Sequence, residues 1–322
     1  MTSNGKMWVG VGFGVLAGAL WGLVFLAPQL AREFTPLQLA AARYLAYGLF
    51  AAALIAPRWR RIAGVIGARE WGALVWLSLL GNIVYYVLLA SAVQLGGIAM
   101  TSLIIGFLPV AVTLVGSRDH GATSLWRLAP SLILGTAGIL CIGWQALESP
   151  EAAGQAGGWL GLACAIGALA SWSTYAVLNA RWLVRMHTLS SHDWNLLTGV
   201  ATGALSLLLL PPALLIGAHG HGAPEWLRFA AVSIGVAIFA SIIGNACWNR
   251  MSRALPLTLV GQMILFETLF ALLYGFLWES RLPTLLESAA IVLVVASVLA
   301  CVSAHRSRSV APEGISQPEA GS

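Results

Sequence analysis

The sequence places a single glutamate deep inside a long apolar segment. Glu267 lies in MILFETLFALLYGF (Met263–Phe276), where every other residue except Thr268 is apolar, aromatic or glycine. It follows Leu255 by twelve residues and precedes Trp278 by eleven. At the 1.5 Å rise of an α-helix it would lie roughly 17 Å from either end. An ionisable group at that depth is costly in lipid, so it must face the interior of a helix bundle or water.

Two roles are open for this carboxyl group. Glu267 could bind a proton or the ammonium group of a substrate, or it could be a protonated structural group bonded to a neighbouring helix. Met263, Phe270 and Tyr274 share its helical face, at i−4, i+3 and i+7. This face would suit a ligand with an apolar ring and an amine, although a stripe of methionine and aromatic residues is more often helix packing.

Two asparagines and several aromatic residues are further candidates for substrate binding. Asn82 and Asn245 lie in apolar segments, where an amide needs partners. They could bind the amino and carboxyl groups of a substrate, or they could bond across helices. Deep rings could stack on an aromatic ligand or fill the core. The deep aromatic residues are Trp21, Tyr85, Tyr86, Trp172, Tyr175 and Trp248.

The remaining polar residues exclude several kinds of chemistry. Arg43 is the only deep basic residue, and we expect it to extend to the membrane surface or to pair with an exterior carboxylate such as Glu33. The six histidines fall in loops or the tail, and the four cysteines have no CxxC spacing, so no metal or other cofactor is expected. Walker A, HExxH and GxSxG patterns are absent, which argues against an ATP motor and against an enzyme.

The composition indicates the solvent that surrounds these residues. The chain of 322 residues is 59% hydrophobic and 9% charged, whereas a soluble domain carries about 25% charged residues. Ten apolar runs approach the roughly 20 residues that span a bilayer. They are Trp8–Leu30, Leu37–Ala56, Trp71–Val93, Gly97–Val115, Leu125–Trp144, Trp159–Leu183, Leu196–Ile216, Trp226–Trp248, Leu255–Trp278 and Pro283–Val302.

The basic residues predict an orientation for ten spans. Thirteen of the seventeen Lys and Arg residues fall on the side that holds the N-terminus, three fall on the other side, and Arg43 lies inside a run. Because cytoplasmic loops carry the positive excess, both termini should be cytoplasmic. The net charge of +5 is explained by this distribution, so nucleic acid is not an expected partner. Residues 306–322 read as a disordered cytoplasmic tail.

Matching segments in the two halves predict a duplication. GNIVYY in the third run (Gly81–Tyr86) resembles GNACWN in the eighth (Gly244–Asn249), and GALWG in the first run (Gly18–Gly22) resembles GALASWS in the sixth (Gly167–Ser173). An odd number of spans in each half requires the halves to have opposite orientations in the membrane. We therefore expect two inverted five-helix repeats, residues 1–147 and 148–305.

The chain resembles the drug/metabolite transporter superfamily, in its ten-helix form with two EamA-like repeats. The resemblance rests on GALWGLVF in the first run, TPLQLAAARYL at the start of the second, GFLPVAV in the fourth and FETLFALLYGFLWESR in the ninth. Within the superfamily it is most similar to bacterial exporters of aromatic amino acids. The family often has Glu-Pro in the ninth run, whereas this chain has Glu267 and Thr268 there; the first repeat keeps Pro109. We therefore expect the ninth run to lack the kink that a proline such as Pro109 can cause in the fourth.

This resemblance implies a secondary transporter of the bacterial inner membrane. It would export aromatic amino acids, or similar amphiphilic metabolites, by alternating access, with protons as a candidate coupling ion. The first, third, fourth, sixth, eighth and ninth runs would line the pathway. Two alternatives remain open: an exporter of cationic or aromatic drugs, which Glu267 and the rings would also suit, and a non-transporting structural or lipid-scrambling membrane protein.

Overall fold

The protein is an all-helical membrane protein. The computed structural model describes residues 3–116, 125–148, 157–186, 189–216, 220–254 and 257–309, and regular structure over these residues is entirely helical. Six helices among them are long and apolar enough to cross a membrane by length and composition. Two shorter apolar helices, Ala129–Cys141 and Leu285–Ala300, accompany them. The predicted fold class, an all-α membrane protein, is confirmed.

The helices follow the apolar runs closely. In the first half they are α1 (Ser3–Leu30), α2 (Pro36–Ile55), α3 (Trp59–Ala63), α4 (Ala68–Ser78), α5 (Tyr85–Ile105), α6 (Leu108–Gly116) and α7 (Leu125–Glu148). In the second half they are α8 (Gly157–Arg185), α9 (Ser191–Ile216), α10 (Ala223–Val236), α11 (Asn245–Ala254), α12 (Leu257–Glu279) and α13 (Leu285–Ser309). The predicted tail begins inside α13, and residues 310–322 lie outside the described residues.

Two π-helical segments interrupt the helices at related places. The first π segment, Leu79–Val84, joins α4 to α5, and the second, Ala237–Gly244, joins α10 to α11. Each contains or ends at the glycine of a Gly-Asn pair, Gly81 or Gly244. A π-helical turn widens the helix locally, and such turns are frequent at functional sites. Hydrophobic periodicity does not reveal them in the sequence.

The third and fourth predicted runs do not form one helix each. The continuous helical stretch Ala68–Ile105 has 38 residues, which at 1.5 Å per residue is about 57 Å, well beyond a ~30 Å hydrocarbon core. It bends at Gly97, whose φ of 83° is one that glycine adopts easily. A second break at Gly106–Phe107 precedes α6, where Pro109 is the second residue. By contrast α12 is one helix from Leu257 to Glu279, as its lack of a proline led us to expect.

Small residues allow the helices to pack closely. The most extensive contacts join α1 to α12, α2 to α9, α5 to α8 and α7 to α13. Gly48 of α2 crosses Gly203 of α9 so closely that a Cβ on Gly203 would lie 2.6 Å from the Gly48 Cα atom. On α1, Gly14, Gly18 and Gly22 follow one another at intervals of four residues and all face α12. Close approach through small residues is a main source of helix association in lipid.

Helices α2 and α9 begin with similar caps. The Thr35 hydroxyl accepts a hydrogen bond from the Gln38 backbone N–H at 3.2 Å, and the Thr35 backbone N–H donates to the Gln38 side chain, which together form a capping box at α2. The Ser190 hydroxyl accepts from the Asp193 backbone N–H at 3.0 Å at the start of α9. Asp193 also pairs with Arg58 at 2.7 Å, which connects the start of α9 to the turn between α2 and α3.

Candidate functional site

A cavity of about 320 Å³ lies among the helices of both halves. In the first half of the sequence its walls come from α1, α2, the first π segment, α5 and α6. In the second half they come from α8, α9, the second π segment, α11 and α12. This volume is at the lower end of the range for small-molecule sites, about 300–1,000 Å³. Of the predicted site residues it brings together Trp21, Asn82, Tyr85, Trp172, Tyr175, Asn245, Trp248 and Glu267.

Two pairs of rings form much of the wall. Trp21 of α1 packs against Trp248 of α11 with ring centroids 4.9 Å apart, and its indole Nε1 donates to the backbone oxygen of Ala240 at 3.1 Å. Trp172 and Tyr175 of α8 form the second pair, with centroids 5.9 Å apart. Rings held by such contacts offer flat apolar faces to a ligand at small entropic cost.

The glycines of the two Gly-Asn pairs make room for these rings. The Tyr175 ring lies where a Cβ of Gly81 would be, and Trp21 Nε1 lies 2.8 Å from the position of a Cβ on Gly244. In each case an aromatic residue from one half packs against a π segment of the other half. In the sequence these glycines stand out only as part of a repeated motif, and in the structure each one leaves space for an aromatic ring.

Both asparagines are partly satisfied inside the protein. The Asn82 amide donates to the Thr202 hydroxyl at 3.0 Å, and the Asn82 backbone oxygen accepts from the Tyr44 hydroxyl at 3.0 Å. The Asn245 amide donates to the Ser241 backbone oxygen at 2.7 Å. The Asn82 side chain therefore connects the first π segment to α9, whereas the Asn245 side chain bonds within its own helical stretch, and both line the cavity.

Glu267 reaches the cavity from α12. Gly18 of α1 lies directly behind it: a Cβ on that glycine would be 2.9 Å from the Glu267 backbone nitrogen. Within the described part of the chain the Glu267 carboxyl forms neither a hydrogen bond nor a salt bridge, which leaves it available to a ligand in the cavity. It is close enough to Arg43 for the two charges to attract each other.

Arg43 lies elsewhere than the sequence led us to expect. It does not extend to Glu33, whose carboxylate pairs with Arg228 at 2.6 Å. Instead Arg43 is 8% exposed and lines the cavity. Its Nη2 donates to the Ser241 hydroxyl at 3.3 Å, and its guanidinium carbon lies 4.3 Å from the centre of the Tyr86 ring. A signal for this placement was present, because opposite charges buried in lipid tend to lie near one another and Glu267 is the deep acidic residue.

Three predicted site residues lie outside the cavity lining. Tyr86 is buried beneath the Arg43 guanidinium. Met263 packs against Gly14 and Met251, and Phe270 packs against Gly22, so both contribute to the contact between α1 and α12. The cavity also contains polar and aromatic residues that the sequence did not distinguish from others. Besides Arg43 these are Tyr44, Tyr47, Asn179, Ser191, Trp194, Asn195, Thr198, Ser241 and Asn249.

Comparison with known proteins agrees with this architecture. Residues 8–144 match the EamA-like transporter family. Over 318 residues the chain is 32% identical to the inner membrane protein YtfF of Escherichia coli (strain K12), an alignment that covers 92% of this chain and 95% of that protein.

A solved crystal structure shows the same fold. It matches with a TM-score of 0.59 over 95% of this chain and 99% of that chain, at 21% sequence identity. At this identity the likeness concerns the fold alone. The match to the family and the nearly full-length relative establish that this multi-pass membrane protein belongs to the EamA-like transporter family.

Proposed function

We propose that this protein is a secondary transporter that exports aromatic amino acids, or similar amphiphilic metabolites, across a bacterial inner membrane. The observation that carries the proposal is the composition of the cavity. Rings of Trp21, Trp248, Trp172 and Tyr175 form its walls, and the Glu267 carboxyl faces into it. An apolar ring with a charged end would match both features.

Alternating access between two inverted repeats would move the ligand. Several paired features support this proposal: the two π segments, the two glycines that receive a ring from the opposite half, and the crossing of Gly48 with Gly203. Sites between inverted repeats can open to either side by the movement of one repeat against the other. Within this proposal residues 1–147 and 148–305 are the repeats, and both termini are cytoplasmic.

Glu267 also supports a second class of substrate, cationic aromatic drugs. A carboxyl group surrounded by aromatic rings also suits a cationic aromatic drug, because rings and a carboxylate both attract cations. Arg43 in the same cavity disfavours such a ligand, since a cation would have to lie near the guanidinium. We therefore place drug export second.

Cells that overproduce the protein provide the test. We expect their intracellular phenylalanine, tyrosine and tryptophan to fall, and we expect them to grow on concentrations of toxic aromatic amino-acid analogues that stop control cells. Control cells should carry the same vector without the insert. Resistance restricted to cationic drugs would favour the second candidate, and no change in either assay would contradict export of both classes.

A further inference from the structure

Arg43 is a buried cation whose hydrogen-bonding capacity is largely unused. A guanidinium has five N–H donors, and within the described part of the chain the hydrogen bond found for Arg43 runs from Nη2 to the Ser241 hydroxyl, at 3.3 Å. Among the described residues the buried Nε and Nη1 atoms have no hydrogen-bond partner. A charged donor left without an acceptor in a low-dielectric interior is strongly unfavourable, so an acceptor is expected from outside the chain.

Among the residues that the structure describes, the neighbours of Arg43 provide no acceptor for its Nε and Nη1 atoms. The Tyr86 ring covers one face of the guanidinium, with 4.3 Å between the ring centre and Cζ, and Tyr44 lies 5.1 Å away on the same measure. Such ring contacts stabilise the charge but provide no hydrogen-bond acceptor for Nε and Nη1 among the described residues. Glu267 attracts Arg43 but forms no salt bridge with it. The two charged side chains therefore line the same cavity without direct contact.

We propose that the Arg43 guanidinium binds the carboxylate of the transported molecule, and therefore that the substrates are carboxylate-bearing amphiphiles, with zwitterionic amino acids as the best match. The inference rests on the proposed transport function, because the ligand is the one that occupies the transport cavity. A carboxylate presents two oxygens that match the fork of the guanidinium. The Glu267 carboxyl in the same cavity would then accept from the substrate ammonium group.

A purely structural role for Arg43 would give different results. As a structural residue it would connect α2 to the second π segment through Ser241, and its removal would destabilise the protein without changing which ligands bind. As a carboxylate site it determines ligand choice. The two roles are therefore separated by comparing ligands that differ only in the carboxylate.

The experiment measures binding to the purified full-length protein in lipid nanodiscs by calorimetry. The ligands are phenylalanine, 3-phenylpropionate, phenylalaninamide and phenethylamine, which share the ring and differ in the charged groups. For the wild type we expect phenylalanine to bind at least about tenfold more tightly than its amide or phenethylamine, as for loss of a hydrogen bond to a charged group. Arg43→Gln should weaken the binding of phenylalanine to the level of the amide and should leave the affinity for the amide unchanged.

Two further variants keep the result interpretable. Arg228→Gln removes an exposed arginine that pairs with Glu33 outside the cavity, and it should bind every ligand as the wild type does. If Arg43→Gln does not yield folded protein, the double variant Arg43→Gln/Glu267→Gln removes both buried charges. It should fold and should bind phenylalanine no better than the amide.

Three results would separate failure of this inference from failure of the proposed function. Equal binding of phenylalanine and its amide by the wild type, or unchanged preference in a folded Arg43 variant, would overturn the carboxylate site while transport of aromatic compounds stands. Binding of leucine or threonine but of no aromatic ligand, with the same loss in Arg43→Gln, would overturn the aromatic substrate and support the carboxylate site. If none of the ligands binds, both the carboxylate site and the proposed transport function are overturned.

Discussion

Glu267 reaches the cavity because the glycine face of α1 lets α12 come close. Replacing it with Gln keeps the shape of the side chain and most of its hydrogen-bonding capacity but removes the charge. If the carboxyl binds a proton or a substrate ammonium, Glu267→Gln should be produced normally but should transport at least about tenfold more slowly. This is the effect expected for the loss of one charge-assisted hydrogen bond. The check is the initial transport rate over a range of pH values.

The contrasting outcome identifies a structural carboxyl. Normal transport by Glu267→Gln at every pH would contradict a role for the charge and would leave a hydrogen-bonding group between helices. Glu267→Leu separates the two roles further. A structural carboxyl predicts that Leu impairs folding while Gln is tolerated, whereas a ligand-binding carboxyl predicts that both variants fold and lose transport.

Part of the site can be predicted from the type of a residue and its depth within an apolar run. Trp21, Asn82, Trp248 and Glu267 were singled out because polar and large aromatic groups in the middle of apolar runs need a reason, and all four line the cavity. Helical spacing from Glu267 was a poorer guide. It grouped Met263 and Phe270 with the carboxyl, but these two side chains fill the contact with α1.

Arg43 shows that the position of a residue within a run does not determine the direction of its side chain. A long side chain about two turns from a membrane surface can extend outward or turn inward, and both are compatible with its position in the run. Its direction is decided by Ser241 and the Tyr86 ring, which are distant in sequence. Tyr44 and Asn179 likewise line the cavity because α2 packs against α9 and α8 packs against α5. No local sequence pattern specifies these contacts.

The contact between α1 and α12 gives a sharp test of the glycine face. A Cβ at Gly18 would lie 2.6 Å from the Phe266 Cβ atom, whereas one at Gly12 on the same helix would meet nothing within 4 Å. Gly18→Leu should therefore force the helices apart and destabilise the protein by about 1–3 kcal/mol or more, as overpacking does. Gly12→Leu should change stability by no more than about 0.5 kcal/mol. Thermal unfolding in detergent measures both.

Equal stability of the two leucine variants would contradict the packing of α12 against this face. If the packing is correct, Gly18→Leu should also impair transport at temperatures where it remains folded, because it displaces the backbone at Glu267. Gly12→Leu is the matched control, since it changes the same residue type to the same larger side chain on an exposed face of the helix.

Helix boundaries were easier to predict than interruptions. The apolar runs located helical segments well, because each must satisfy its own backbone in lipid. The bend at Gly97 had a local signal in the Gly-Gly pair, and the start of α6 had one in Pro109. The two π segments had none, because an inserted residue leaves the run equally apolar.

The orientation of the whole chain is a prediction from its basic residues. Thirteen Lys and Arg residues fall on one side of ten predicted spans and three fall on the other, so both termini should be cytoplasmic. Reporter fusions after Ser307 and within residues 145–157 should report opposite sides of the membrane, with the first in the cytoplasm. A cytoplasmic signal from the second fusion would contradict the arrangement of ten spans.

Transport of an aromatic amino acid through the cavity can be measured directly in proteoliposomes. Vesicles with the wild-type protein should take up labelled phenylalanine or tryptophan faster than protein-free vesicles, and excess unlabelled substrate should compete. Ala176 lines the cavity, so Ala176→Trp should abolish this uptake. Ala170→Trp, on an exposed face of the same helix, should preserve it. Uptake equal to that of protein-free vesicles, or equal uptake by the two tryptophan variants, would contradict transport of aromatic amino acids by this route.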